Sequence, residues 1–238
     1  MSNRMSVADE PAYPRLDYDA WARTVPADDL WAQVRRSVRG AAVPESDIAL
    51  IVAAIAEGLS LGPEDVLLDL ACGNGALGSR LPHGVGYLGS DISPYLIGIA
   101  RARFAMPGRG FVVRGAGAHV AGEPDTARFT RALLYGSFAY LGDEEAAAVL
   151  SGLFARFPRV SRVFLGNLPD AARMGAFYGD ALPSDEELSD PGSRLGIWRS
   201  RAAVGAMAER AGWRVAFPEM PAGFFAAHYR FDVLLRRP

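Results

Sequence analysis

The chain has 238 residues, of which 50% are hydrophobic, 10% aromatic and 22% charged, a composition that suits one substantial α/β domain. Its 25 basic and 27 acidic residues leave a formal charge of −2, so no net positive field recruits nucleic acid or an anionic membrane. All fixed positive charge is arginine, and the single cysteine, Cys72, excludes an intramolecular disulfide framework and a multi-cysteine zinc site.

Residues 1–17 read as a loose polar arm without the apolar core of a signal peptide, and residues 48–61 are too short and too interrupted to span a bilayer. The expectation is a cytoplasmic chain. Acidic residues before Leu30, then Leu30, Val34 and Val38 at helical spacing, predict a first helix. Pro44-Glu45-Ser46 opens a second helix that carries Ile48, Ile51, Val52, Ile55 and Leu59 and stops at Gly62-Pro63. Residues 1–62 are thus an arm and helical cap, and residues 63–238 a core.

Within the core, Val66-Leu67-Leu68-Asp69-Leu70 reads as a strand buried on both faces. A glycine-rich turn and a short helix follow. Strands are then predicted at 87–91, 111–113, 132–135 and 162–166, with helices opening at Ser93-Pro94 and spanning 143–157. His83, after Leu81-Pro82, reads as part of a surface turn.

After a helix capped by Ser200 and stopped at Gly212, the runs 214–217 and 229–235 follow with no helix between them, so they should pair antiparallel. The expected fold class is α/β: a doubly wound, mostly parallel seven-stranded sheet ending in an antiparallel hairpin. The proline-containing, acidic stretch 170–197 reads either as a substrate lid or as an exposed insertion.

The most informative stretch is Asp69-Leu70-Ala71-Cys72-Gly73-Asn74-Gly75-Ala76-Leu77-Gly78. A strand entering a glycine turn brings backbone N–H groups close to a ligand, and Gly73, Gly75 and Gly78 spell the dinucleotide fingerprint. Context argues otherwise. Asp69 stands ahead of the glycines, where a pyrophosphate would be repelled; a helical cap precedes the strand; and the sheet ends antiparallel. A ligand with an ammonium and no phosphate fits better. Asp91, 22 residues beyond Asp69 at the end of the second strand, can accept hydrogen bonds from both hydroxyls of a ribose.

The run from Val66 to Gly75 resembles the first motif of the class I S-adenosylmethionine-dependent methyltransferases. Gly89-Ser90-Asp91-Ile92-Ser93 resembles their acidic second motif, and the helix from Ser200 to Gly212-Trp213 their late helix. The resemblance implies methyl transfer from S-adenosyl-L-methionine. It implies that Ala71, Gly73 and Gly75 line the methionine portion, with Asp69 near its amino group. Asp91 would hold the ribose, Ile92 would pack on adenine, and Tyr135 and Gly136 would flank the cofactor toward substrate. Tyr18 and Trp21 resemble an aromatic entrance. Ala71 replaces the commoner first glycine, and Arg114-Gly115-Ala116-Gly117-Ala118 replaces a usual adenine-contacting Asp, which leaves that contact to a residue such as Gly117.

Methyl transfer to a hydroxyl or amine benefits from a base. The candidates are His228 beside the last strand, His119 after the third, and Asp170 after the fifth, the last with helix capping as its alternative. Asn167, Tyr178, Phe138 and Tyr229 are candidate substrate contacts. The loop Tyr135-Gly136-Ser137-Phe138 lacks the Asn/Asp-Pro-Pro-aromatic pattern of enzymes that methylate base amines, and no RNA-binding module is appended. The expected partner is therefore a small-molecule acceptor rather than nucleic acid or membrane, with a homodimer open. No metal is expected, because no His/Asp/Glu cluster has ligand spacing. Non-catalytic cofactor binding and nicotinamide-dependent oxidoreduction are the alternative functions.

Overall fold

The computed structural model describes residues 17–38, 41–82 and 84–238; residues 1–16 of the polar arm and His83 lie outside the described residues. The cap comprises helices α1 (Tyr18–Thr24), α2 (Leu30–Gln33) and α3 (Glu45–Leu59), with a small antiparallel hairpin, β1 (Ser37–Val38) and β2 (Ala41–Ala42), between α2 and α3. The strands β3 (Val66–Leu70), β4 (Gly86–Asp91), β5 (Arg109–Val113), β6 (Arg131–Tyr135), β7 (Arg162–Pro169), β8 (Arg214–Ala216) and β9 (Arg230–Arg236) follow. They form one sheet in the order β5–β4–β3–β6–β7–β9–β8.

The strands from β5 to β7 run parallel, and β9 pairs antiparallel with both β7 and β8. This is the expected mostly parallel seven-stranded sheet with an antiparallel edge. After β3, β4 and β5 the chain crosses back to lay β6 on the other side of β3. That reversal opens a crevice above the carboxyl ends of β3 and β6, where open α/β sheets bind ligands.

Alternation along each strand sends side chains into two cores. Leu68, Leu70, Leu134, Val163 and Leu165 pack under α5 (Ala116–Gly122), α6 (Asp143–Arg156) and α9 (Arg201–Arg210). Leu67, Leu133, Tyr135 and Phe164 pack under α3 and α4 (Pro94–Phe104). The i, i+3, i+4 stripe of α3 buries Ile48, Ile51, Ile55 and Leu59, each contributing about 1.5–3 kcal/mol. A Cβ on Gly58 would stand 2.7 Å from the Phe164 ring, so glycine lets α3 lie directly on β7. Helix α4 starts where expected: Pro94 is its first residue, and the Ser93 hydroxyl accepts the Leu96 N–H at 3.1 Å.

Two expected helices are corrected. The helix predicted through Val34 and Val38 ends at Gln33. The Leu30 carbonyl, which a continuing helix would bond to the N–H of Val34, instead accepts the Asn74 amide at 2.7 Å. Arg35 then takes a left-handed φ of 51° and the chain turns into the β1–β2 hairpin. The helix predicted after the glycine turn is only a 3₁₀ turn, Gly78–Arg80.

Helix α5 has an alanine–glycine sequence with no strong apolar stripe and was not anticipated. The 170–197 stretch folds as a 3₁₀ turn at Ala171–Arg173 and two short helices, α7 (Met174–Tyr178) and α8 (Asp185–Ser189). Among the described residues, no helix is long and apolar enough to cross a membrane.

Candidate functional site

The turn after β3 is held by unusual backbone angles and by one acid. Ala71, Gly73 and Gly75 all lie in the left-handed region, with φ of 58°, 59° and 76°. A Cβ on Gly75 would come within 2.8 Å of Phe111, so both angle and space require glycine there. Asp91, at the end of β4, accepts the Gly73 N–H on Oδ2 at 2.8 Å and the Ser93 N–H on Oδ1 at 2.9 Å. Burial pushes its carboxyl up, against the lowering effect of these backbone bonds. Each oxygen keeps lone-pair capacity for a further donor. Beside it, Ile92 is 75% exposed and Val113, paired across from Asp91, is 44% exposed. These form an open apolar ledge next to a hydrogen-bonding acid.

Toward the middle of the crevice, Asp69 is 3% exposed and accepts a 2.6 Å hydrogen bond from the Tyr87 hydroxyl. Burial pushes its carboxyl up to about 7, although the Tyr87 bond and the charges of Arg36 and Arg109 oppose the rise. The Arg36 guanidinium lies 5.1 Å from the Tyr135 ring centre and 5.7 Å from that of Trp31. Asn74 ties the turn to α2 through the Leu30 carbonyl and, at 3.0 Å, the Gln33 side chain.

On the far side of Tyr135, the ends of β6 and β7 are irregular. Gly136 has φ 76°, and Asn167, a non-glycine residue, has φ 66°. The β7–β9 register shifts between Leu165 and Leu168, a bulge of the kind that re-aims side chains. The Asn167 N–H donates to Asp232 Oδ1 at 2.7 Å. Asn167 Oδ1 and Ser137 Oγ are buried with no hydrogen-bond partner among the described residues. Asp232 is 4% exposed and lines a small pocket with Ile51, Tyr135, Met220 and Phe224. Burial pushes its carboxyl up to about 6, opposed by the Asn167 N–H and the Arg230 charge. Nearby, Tyr178, Trp198 and Tyr229 cluster around Phe177, with ring centres 4.8, 6.0 and 4.7 Å from it.

Of the residues singled out in the sequence, Asp69, Ala71, Gly73, Gly75, Asp91, Ile92, Tyr135, Gly136 and Asn167 gather along the carboxyl edge of the sheet. Tyr178 and Tyr229 share the aromatic cluster. Tyr18 donates to the Tyr140 hydroxyl at 3.1 Å, and Trp21 donates to the Ala32 carbonyl at 2.9 Å, so both brace the cap.

Others fall elsewhere. His119 is wholly buried, 3.2 Å from Glu123, on the inner side of α5, whose Ala116 and Val120 pack into the core on the opposite face of the sheet. Phe138 is fully buried in that same core. The bare side of Gly117 faces Glu145 on α6. Asp170 accepts the Ala172 N–H and pairs with Arg201 at 3.2 Å, which is the capping alternative. His228 is exposed and packs edge-on against Tyr229.

Sequence reasoning missed Arg36 and Asp232. Arg36 follows another arginine in a stretch read as helix, and nothing in that context marks it. Asp232 did carry a signal: it is a lone acid between Phe231 and Val233 in a strand buried on both faces.

No protein-family model matches this sequence, and no curated protein matches it. Solved structures do. A chain of the complex between the Haloferax volcanii Trm112 methyltransferase activator and the putative methyltransferase superposes with TM-score 0.63 at 16% identity, over 94% of this chain and 97% of that one. Magnesium protoporphyrin IX methyltransferase (ChlM) from Synechocystis PCC 6803, with bound SAH, gives TM-score 0.55 at 18% identity over 82% and 83%. The fold is that of the class I methyltransferases. The [4+2]-cyclase SpnF also superposes on it, with TM-score 0.59 at 15% identity over 79% of this chain and 80% of that one. The methyltransferase fold therefore locates the crevice, and the chemistry must be argued from the side chains in it.

Proposed function

We propose that this chain transfers a methyl group from S-adenosylmethionine to an oxygen or nitrogen nucleophile of a small molecule. The observation that carries this reading is Asp91: a buried acid at the end of β4 that holds the glycine turn by Gly73 and stands beside the exposed Ile92–Val113 ledge. A nucleoside fits there, its ribose hydroxyls donating to Asp91 and its base lying on the ledge. S-Adenosylmethionine, when bound, supplies a methyl already activated on a sulfonium, so the chain's part is mainly alignment. The rival dinucleotide reading loses its main support, because only a 3₁₀ turn follows the glycines and no helix dipole faces a pyrophosphate.

Tyr135 and Gly136 form the wall between cofactor and acceptor, and the Asn167 bulge and the aromatic cluster around Phe177 bound the acceptor's side. Asp232 is the group suited to take the proton that a hydroxyl or amine sheds as its new bond to carbon forms. A carboxyl with a value of about 6 is ionised at neutral pH yet more basic than an exposed one. The aromatic lining and the absence of net positive charge favour a small organic acceptor over a nucleic acid.

The test is incubation with methyl-labelled S-adenosylmethionine and a panel of hydroxyl- and amine-bearing small molecules. Label in a small-molecule product supports the reading. Binding of NAD with none of S-adenosylmethionine overturns it.

A further inference from the structure

The carboxyl ends of β6 and β7, with β9 beside them, carry three oxygens whose hydrogen-bonding capacity the fold leaves unused. Asn167 Oδ1 and Ser137 Oγ have no partner among the described residues. Asp232 engages the Asn167 N–H with Oδ1, and no hydrogen bond among the described residues engages its Oδ2. The register shift between Leu165 and Leu168 sets Asp232 opposite Asn167. The Asn167 side chain lies against Gly136, its Nδ2 3.8 Å from where a Cβ would stand, and Ser137 is the next residue. Bonds to both its N–H and its carbonyl, the second from Arg230, keep Asn167 in its left-handed conformation. Arg230, whose charge acts on Asp232, is thereby occupied and forms no ion pair with it. Buried acceptors without donors are costly, and backbone held in a sparsely populated region clusters at ligand clamps.

These oxygens call for hydrogens. The Asp232 carboxylate and the Asn167 amide oxygen can only accept, whereas the Ser137 hydroxyl can do either. An alcohol brings one hydrogen and would leave one of the two pure acceptors bare. A primary amine arrives as an ammonium with three N–H donors and a positive charge that the Asp232 carboxylate offsets. Around Asp232 the pocket is apolar, lined by Leu50, Ile51 and Ala54 from α3 and by Met220 and Phe224. The body that carries the nitrogen is therefore apolar as well.

We propose that the methyl acceptor is a primary amine on an apolar body, its nitrogen held by Asn167 Oδ1, Asp232 Oδ2 and Ser137 Oγ. The assignment rests on the methyl-transfer reading above and narrows it from oxygen or nitrogen to nitrogen, with Asn167 as the specificity-determining residue. The ammonium gives one proton to the Asp232 carboxylate, which frees the nitrogen lone pair. That pair forms the new N–C bond as the C–S bond of the methyl donor breaks and its electrons stay on sulfur. The product is a secondary ammonium, whose two remaining N–H groups match Asn167 and Ser137.

The test is calorimetry in the presence of S-adenosylhomocysteine, with n-hexyl and benzyl compounds in three forms. These are the primary amine, the alcohol, and the trimethylammonium ion, which keeps the charge without the N–H groups. The wild-type chain should bind the amines at least about tenfold more tightly than either analogue. Asn167→Gly, which suits the left-handed backbone and removes Oδ1, should weaken the amines by at least about tenfold and the alcohols by less than about threefold. Amines that fail to bind, or that bind no better than the alcohols or the trimethylammonium ions, would overturn the assignment. So would an Asn167→Gly chain that keeps its amine affinity or loses both classes alike. If S-adenosylhomocysteine itself does not bind the wild type, the methyl-transfer reading fails and the amine assignment with it, a result distinct from loss of the assignment alone.

Discussion

Replacing Asp69 by asparagine should change how stability depends on pH. The native carboxyl sits at about 7 against an ordinary value of 3.8, chiefly through burial. Between those values the native chain holds a proton that the unfolded chain has released. Stability therefore falls as pH rises through this interval, and the loss is complete above about 7. At 1.36 kcal/mol per pH unit the whole interval amounts to ~4 kcal/mol, of which ~3 kcal/mol falls between pH 5 and pH 8. The amide of Asp69→Asn can still accept from the Tyr87 hydroxyl and carries no charge to desolvate. Urea unfolding at pH 5 and pH 8 should show wild type losing about 3 kcal/mol more than the variant across that span. Asp232 loses stability with rising pH in the same sense, but it is present in both proteins and cancels in the comparison. Parallel pH profiles for the two proteins would refute the account of Asp69 as a buried, strongly perturbed acid.

Three further outcomes follow from the same geometry. Asn167→Gly should relieve the left-handed backbone at the β7 bulge and raise stability by ~1 kcal/mol or less, read from thermal unfolding. It should also slow the proposed methyl transfer by removing the Oδ1 acceptor; a faster rate would place the methyl-accepting molecule elsewhere. Asp232→Asn should lower the methyl-transfer rate by roughly 10²–10⁴-fold. It should also abolish a rise in rate with pH centred near about 6, and a variant that keeps this limb would exclude Asp232 as the base. His119→Gln should leave S-adenosylhomocysteine affinity unchanged, because the imidazole is buried on α5, which packs over the other face of the sheet; a large loss would contradict that placement.

Much of the fold could be read from local pattern because local pattern caused it. The continuous apolar run Val66 to Leu70 is buried on both sides, Ser93-Pro94 starts α4, and the close spacing of the last two strands forces antiparallel pairing. The failures share a different cause. Leu30, Val34 and Val38 have helical spacing, but a side chain 44 residues away takes the Leu30 carbonyl and ends the helix. Tertiary hydrogen bonds overrode local propensity there.

The meeting of the glycine turn with Asp91 was legible because both stand at the carboxyl ends of neighbouring strands only 18 residues apart. The sequence marks Asp91 as a candidate ribose acceptor, a role that stays with the proposal, whereas its two bonds to the Gly73 and Ser93 backbones, which make it the staple of the turn, carry no sequence signal. The pocket proposed for the acceptor is assembled from β6, β9 and α3, elements distant in sequence. Asp232 meets Tyr135 only once the sheet order is known. The histidines attracted notice as the usual bases of neutral-pH chemistry, but burial sent His119 to the wrong face and left His228 at the surface.

The account stands on a nucleoside lying across the ends of β3 and β4 with its sugar on Asp91. Calorimetric titration of S-adenosylhomocysteine into the wild-type chain and into Asp91→Ala, with circular dichroism to establish that both are folded, tests this most directly. The account predicts binding to the wild type and an affinity at least about tenfold weaker in the variant. Absence of binding to the wild type, or equal affinity in a folded Asp91→Ala, would contradict it.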